Sequence, residues 1–110
     1  MRELIHTDEF SEFYEELSDR AKDKVAYCLT LLEEIQVISS KLVKKLTTSK
    51  LYELRVSIDN EYRIMLFSVD NDNLINATRV ILLNGFMKKS TKDYDKQIKK
   101  AERILSNIEL

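Results

Sequence analysis

The apolar residues of this chain change period twice, and no other feature limits its fold so strongly. Up to about residue 38 they recur at helical spacing, from 51 to 84 they alternate with a period of two, and from Thr91 the helical spacing returns. A strand pattern bracketed by helical patterns predicts an α+β domain, with helices packed on a small antiparallel sheet. "RELIH" reads as a short edge strand. "DEFSEFYEEL", residues 8–17, predicts a helix with Phe10, Phe13, Tyr14 and Leu17 on one face. Ser18 and Asp19 interrupt it and suit the cap of a second helix, from about Arg20 to Ile38. The stripe of that helix is Val25, Cys28, Leu29, Leu32 and Ile35, with Asp19, Asp23, Glu33 and Glu34 outside it. The two helices form an αα-hairpin with an acidic outer side.

"SSKLVKKLTTSK" lacks a period and reads as a loop or an irregular edge. "LYELRVSI" (51–58) then places Tyr52, Leu54, Val56 and Ile58 on one face and Leu51, Glu53, Arg55 and Ser57 on the other. Asp59-Asn60 makes a tight turn, since both residue types tolerate positive φ. "EYRIMLFSV" (61–69) returns as the second strand, "DNDN" turns again, and "ATRVILLN" (77–84) is the third. In the final helix Tyr94, Ile98, Ala101, Leu105 and Ile108 line up. The predicted order is β-α-α-β-β-β-α, in one domain covering 1–110.

A chain of 110 residues can bury one core without a metal or a disulfide, and its single cysteine, Cys28, suits a small buried residue in a reducing compartment. "MRELIHTDEF" does not read as a signal peptide, and no run approaches the ~18 apolar residues of a membrane span. A cytoplasmic protein with no membrane contact is expected. The net charge of −1 conceals an asymmetry: residues 1–40 hold 4 Lys/Arg against 10 Asp/Glu, and residues 41–110 hold 14 against 9. The basic C-terminal part predicts a surface that attracts phosphate.

The only glycine, Gly85, falls between the last strand and a lysine pair. There it is expected to take positive φ as the chain leaves the sheet, to admit another backbone, and to bring Lys88 and Lys89 over the exposed face. Arg63 shares a side with Met65, Phe67 and Val69, Arg79 shares one with Ile81 and Leu83, and Arg55 lies beside Glu53. An arginine in such a strand needs partners or water, as a surface residue or in an ion pair with Glu53 or Glu61. Converging on one place, these cations would suit a phosphate.

The segments "KKL", "LYELR", "YRI" and "ILLNGFMKK", followed by a basic helix, resemble the RelE/HigB superfamily of type II toxins, especially its HigB-like, phage-associated branch. The likeness runs from about Phe10 to Leu105. It implies a ribosome-dependent mRNA endonuclease without metal or cofactor. Its partners would be ribosome, mRNA and an antitoxin, expected to be a helix-turn-helix DNA-binding protein. The chemistry implied is attack of a 2′-hydroxyl on the adjacent phosphate, which needs a base, cations and an acid. By position in these motifs Arg55, Arg63, Lys88 and Tyr94 are the expected catalytic residues. Arg63 is the first choice for the phosphate, and Tyr94 suits the acid, with Asp93, Asp95 or a lysine next. Lys44, Lys45, Arg79, Lys89 and Lys92 are the expected RNA contacts. Tyr94 also begins the apolar stripe of its helix, so a core ring is the plainer reading, and His6 reads as structural. A pI of about 5.9 is low for this superfamily. The alternative is a non-catalytic binding module, either a ParE-like gyrase inhibitor or a degenerate phage protein. No Cys/His cluster or glycine-rich phosphate loop points to other enzyme classes.

Overall fold

Residues 1–109 are described by the computed structural model, with helices on both faces of a five-stranded sheet. In chain order the elements are β1 (Glu3–His6), α1 (Asp8–Glu15), α2 (Asp19–Glu34), β2 (Val43–Lys45), β3 (Tyr52–Ile58), β4 (Asn60–Ser68), β5 (Arg79–Met87) and α3 (Thr91–Ser106). A 3₁₀ turn at Leu74–Asn76 precedes β5. Each helix starts on a hydroxyl that accepts a backbone N–H: Thr7 for α1, Ser18 for α2 and Ser90 for α3. The mixed α+β architecture and the αα-hairpin are as the periods predicted.

The strand order is β1-β5-β4-β3-β2. The sheet is antiparallel except at β1, which runs parallel to β5 from Glu3↔Arg79 to His6↔Leu82. The chain from α1 to β2 carries it to the far edge, so β1 is left for the last strand to join. The region read as a loop or irregular edge contains β2, whose three residues pair with Tyr52 to Leu54. Such a strand is too short to show a period.

The second helix ends at Glu34 rather than Ile38. Ile35 is already extended, and Arg2 takes over the carbonyls that the helix leaves without partners. Its guanidinium donates to the carbonyls of Leu32 (3.0 Å), Gln36 (2.8 Å) and Ile75 (2.9 Å), which ties β1 to the end of α2 and to the 3₁₀ turn.

Gly85 overturns a second expectation. It lies inside β5 opposite Ile64, and no glycine has positive φ. What needs the missing Cβ is a ring: a Cβ there would stand 2.4 Å from two ring atoms of Phe13. The strand continues past it, and the Lys88 N–H still bonds to the Glu61 carbonyl at 2.7 Å. Positive φ occurs instead at Asp59 (60°), in the predicted β3–β4 turn.

Alternation separates two apolar clusters. On one face Phe10, Val25, Leu29 and Leu32 of the hairpin meet Leu54, Val56, Ile64, Leu66, Val80 and Leu82. On the other Ala101, Ile104 and Leu105 of α3 meet Leu51, Met65, Ile81, Leu83 and Phe86. Cys28 is buried in the first cluster as a free thiol. His6 packs its ring edge-on to Phe10, 5.2 Å between centroids. No helix among the described residues is long and apolar enough to cross a membrane.

Candidate functional site

The hairpin register sets Arg55 directly opposite Arg63, and Glu53 opposite Met65. Residues two apart on a strand share a face, so Glu53, Arg55 and Arg63 all project to the side that α3 covers. Two guanidiniums facing each other across a ladder repel. The structure places a carboxylate between them. Glu53 Oε1 accepts from Arg55 Nε at 3.1 Å and lies 3.1 Å from its Nη2. Glu53 Oε2 stands 3.9 Å from Arg63 Nε and accepts the hydroxyl proton of Tyr94, from the first turns of α3. Arg63 also donates to the Tyr62 carbonyl at 2.9 Å and to Glu61 at 3.4 Å.

Burial separates the members. Glu53 is 3% exposed and Arg63 6%, so neither presents much surface to a ligand. The Arg55 side chain retains 34% of its exposure, and Tyr94 is intermediate. Burial first, and then the bond to Glu53, push the Tyr94 hydroxyl well above its usual range, while Arg63 and Arg55 pull the other way. The ring is therefore neutral at physiological pH. Glu61 is held below the usual carboxylate range, chiefly by the hydrogen bond from Ser57 and further by Arg63 and Lys88, against a smaller opposing effect of burial. Lys88 Nζ lies 5.8 Å from the centre of the Tyr94 ring, which also packs on Phe86.

Arg55, Arg63, Lys88 and Tyr94 thus come together at one end of the sheet. Lys44 is the register partner of Glu53 at the sheet edge, and Lys89 and Lys92 are exposed around the start of α3. Lys45 turns away: its Nζ donates to the Ser49 carbonyl at 2.8 Å and lies over the Tyr52 ring on the other face. Arg79 does not converge with Arg63. Antiparallel pairing of β4 with β5 puts Arg63 opposite Phe86, while Arg79 begins β5 at its other end beside Glu3. Nor is the cationic face open, because α3 and the ion pairs bury Arg63.

A groove of about 650 Å³ runs from Arg55, Arg63 and Ser57 towards Tyr27 and Val37 of the hairpin side. One of equal volume lies between β1 and α3, lined by His6, Glu9, Lys100 and Arg103, and contains none of the expected residues. Among the described residues no group of three or more His, Cys, Asp and Glu side chains is placed to hold a metal.

Glu53 is the central residue that sequence reasoning noted only as an ion-pair partner. Its signal was available: Glu53 and Arg55 share a strand face, and the turn at Asp59 fixes Arg63 opposite Arg55. Its partner in α3 lies 41 residues away and has no local signature.

The family model described as "Phage derived protein Gp49-like" matches residues 12–106. No curated protein matches. Among solved structures, a mutant of the E. coli toxin RelE in the free state superposes with a TM-score of 0.63, over 90% of this chain and 96% of that one, at 14% identity. At that identity the likeness shows the fold. The family match reaches further and covers the helices, the hairpin and the charged cluster, so the chain belongs to the Gp49-like family of phage-derived proteins, a family of the RelE/HigB toxin type.

Proposed function

We propose that this chain is the toxin of a type II toxin–antitoxin pair and that it cuts mRNA on the ribosome. The observation that carries the reading is the pair of arginines facing each other at the groove, with Glu53 between them bonded to Tyr94 and Lys88 over the Tyr94 ring. Family membership and the RelE fold support it.

When a 2′-oxygen attacks the adjacent phosphorus, negative charge builds on the non-bridging oxygens. Fixed cations aimed at those oxygens lower the barrier most. Arg55 is the more exposed of the two guanidiniums and meets the phosphate directly, as a planar fork suited to paired oxygens. Arg63 backs it from beneath. Lys88, over the Tyr94 ring, protonates the departing 5′-oxygen. Lys44, Lys89 and Lys92 flank this point and take neighbouring phosphates. Lys45 and Arg79 have no part in the reaction. An antitoxin covering this basic end would hold the enzyme inactive.

The test is expression in cells that lack the antitoxin. Growth should stop, and primer extension should find mRNA cut within translated codons. Normal growth with intact transcripts, at confirmed expression, would return the chain to the class of binding modules. Loss of DNA supercoiling without RNA cleavage would identify gyrase as the target.

A further inference from the structure

The bond between Tyr94 and Glu53 has a fixed direction. A carboxylate only accepts, so the shared proton belongs to the tyrosine and points at Glu53. A hydroxyl whose proton is so engaged cannot give it to a leaving oxygen, but its own lone pairs remain free to accept. Glu53, at 3% exposure, presents almost nothing to a ribose, whereas Tyr94, bonded to it, is of intermediate exposure.

Resting on the ribonuclease reading above, we propose that Glu53 is the proton acceptor of the reaction and works through Tyr94. The 2′-hydroxyl passes its proton to the Tyr94 oxygen as the Tyr94 proton moves to Glu53 Oε2. The 2′-oxygen bonds to phosphorus, the bond from phosphorus to the 5′-oxygen breaks, and the 5′-oxygen takes a proton from Lys88. Glu53 ends protonated and Lys88 neutral, and water restores both. Tyr94 is thus a catalytic residue on the side of the base, not the acid, and Glu53 is its positioning residue.

The surroundings of Glu53 suit a base that is restrained until substrate arrives. The groups facing it are Arg55 on its own strand, Arg63 on β4, Tyr94 on α3 and, by register, Lys44 on β2. The link to Arg63 is long, at 3.9 Å. A phosphate that draws Arg55 to itself removes the carboxylate's closest cation and makes it a stronger proton acceptor.

Two measurements test this. The first needs no RNA: protein labelled at the tyrosine ζ-carbon is titrated by NMR, with Tyr94→Phe to assign the signal. Tyr94 should stay protonated well above the ordinary tyrosine range, and Glu53→Gln should bring its titration down. Ionisation of wild-type Tyr94 within the ordinary tyrosine range would overturn the relay. The second is single-turnover cleavage on programmed ribosomes across pH. The wild-type rate should rise with pH and then level off, as a reaction that needs a general base does. Glu53→Gln and Tyr94→Phe should each lose that limb and about 100-fold or more in rate, the scale of general base catalysis. The double variant should be no slower than either, because the two act as one unit. Multiplying losses, or Glu53→Gln cutting within threefold of wild type, would overturn the relay alone. A wild type that keeps the Tyr94 signature but cuts no ribosome-bound mRNA overturns the ribonuclease reading and the relay with it. Tyr94→Phe leaves the arginine pairs of Glu53 in place, so its result stands even if Glu53→Gln folds poorly.

Discussion

The two faces of the sheet use the same three central strands and bury opposite kinds of residue. Under α1 and α2 the strands contribute Leu54, Val56, Ile64, Leu66, Val80 and Leu82, and the buried charge of Arg2 sits at the margin, satisfied by main-chain carbonyls. Under α3 the middle is equally apolar, with Met65, Ile81 and Leu83, but the end carries Glu53, Arg55 and Arg63. Two helices cover one face; one helix covers the other and begins at the charged end, where Tyr94 reaches Glu53. Period-two alternation thus lets one strand give apolar side chains to one face with its even residues and charged ones to the other with its odd ones. Charge is tolerated only where a partner comes with it.

The largest effects should divide along that line. Leu66→Ala, in the dry face, should cost ~2–5 kcal/mol of stability by opening a cavity. Arg55→Ala should lower the melting temperature less than Leu66→Ala does, because the buried Glu53 loses its closest cation but keeps Tyr94 and Arg63. It should nevertheless slow cleavage by roughly 100- to 1000-fold, or ~2.7–4 kcal/mol in the barrier. Thermal melts and single-turnover rates on both variants are the measurement. An Arg55→Ala protein that melts early but cuts normally would break the division of labour between the faces. Arg63→Ala should lower both quantities, since its removal leaves Glu61 with Ser57 alone and the buried Glu53 with Arg55 and Tyr94.

Gly85 sharpens the comparison from the dry side, at a smaller scale. Gly85→Ala pushes a methyl into the Phe13 ring and should destabilise by ~1–3 kcal/mol, as overpacking does. Phe13→Leu in the same chain should recover part of that loss, because neighbouring substitutions couple. Equal losses from the single and double variants, read by denaturant melts, would mean the close contact is not what excludes a side chain.

Gly85 also marks where sequence reading stopped. A glycine before a lysine pair looks like a strand end, and nothing local shows that a helical phenylalanine from the first helix lies across it. The periods sufficed for α1, α2, β3, β4 and α3, because each buries a face of its own. They could not show β2, which has three residues, or the parallel pairing of β1, which depends on how the chain returns. The cations were legible by position, and Arg55, Arg63, Lys88 and Tyr94 do meet. That Arg79 lies apart follows from the length and register of β5, and Glu53 became central only when α3 brought Tyr94 to it. Arg2 was illegible for the same reason, since its partners are carbonyls far along the chain.

The smallest expected effect concerns Asp70, at the end of the sheet away from the site. Its carboxylate accepts from the Thr78 hydroxyl at 2.5 Å and from the backbone N–H groups of Thr78 (3.0 Å) and Arg79 (3.1 Å), and so pins the start of β5. Those bonds hold its pKa down, to about 2 from an ordinary 3.8, with the Thr78 hydroxyl the largest cause. A carboxyl depressed by folding contributes stability that is full above its unfolded value and disappears as pH falls through the folded one. The contribution of Asp70 should therefore be present at pH 5 and lost between about pH 4 and pH 2. Asp70→Asn should melt lower than the parent at pH 5, and the two should converge by pH 2. A gap that stayed constant over that window would show that the carboxylate charge does not hold the turn. Cleavage by Asp70→Asn should match the parent, since nothing links this turn to the groove at Arg55.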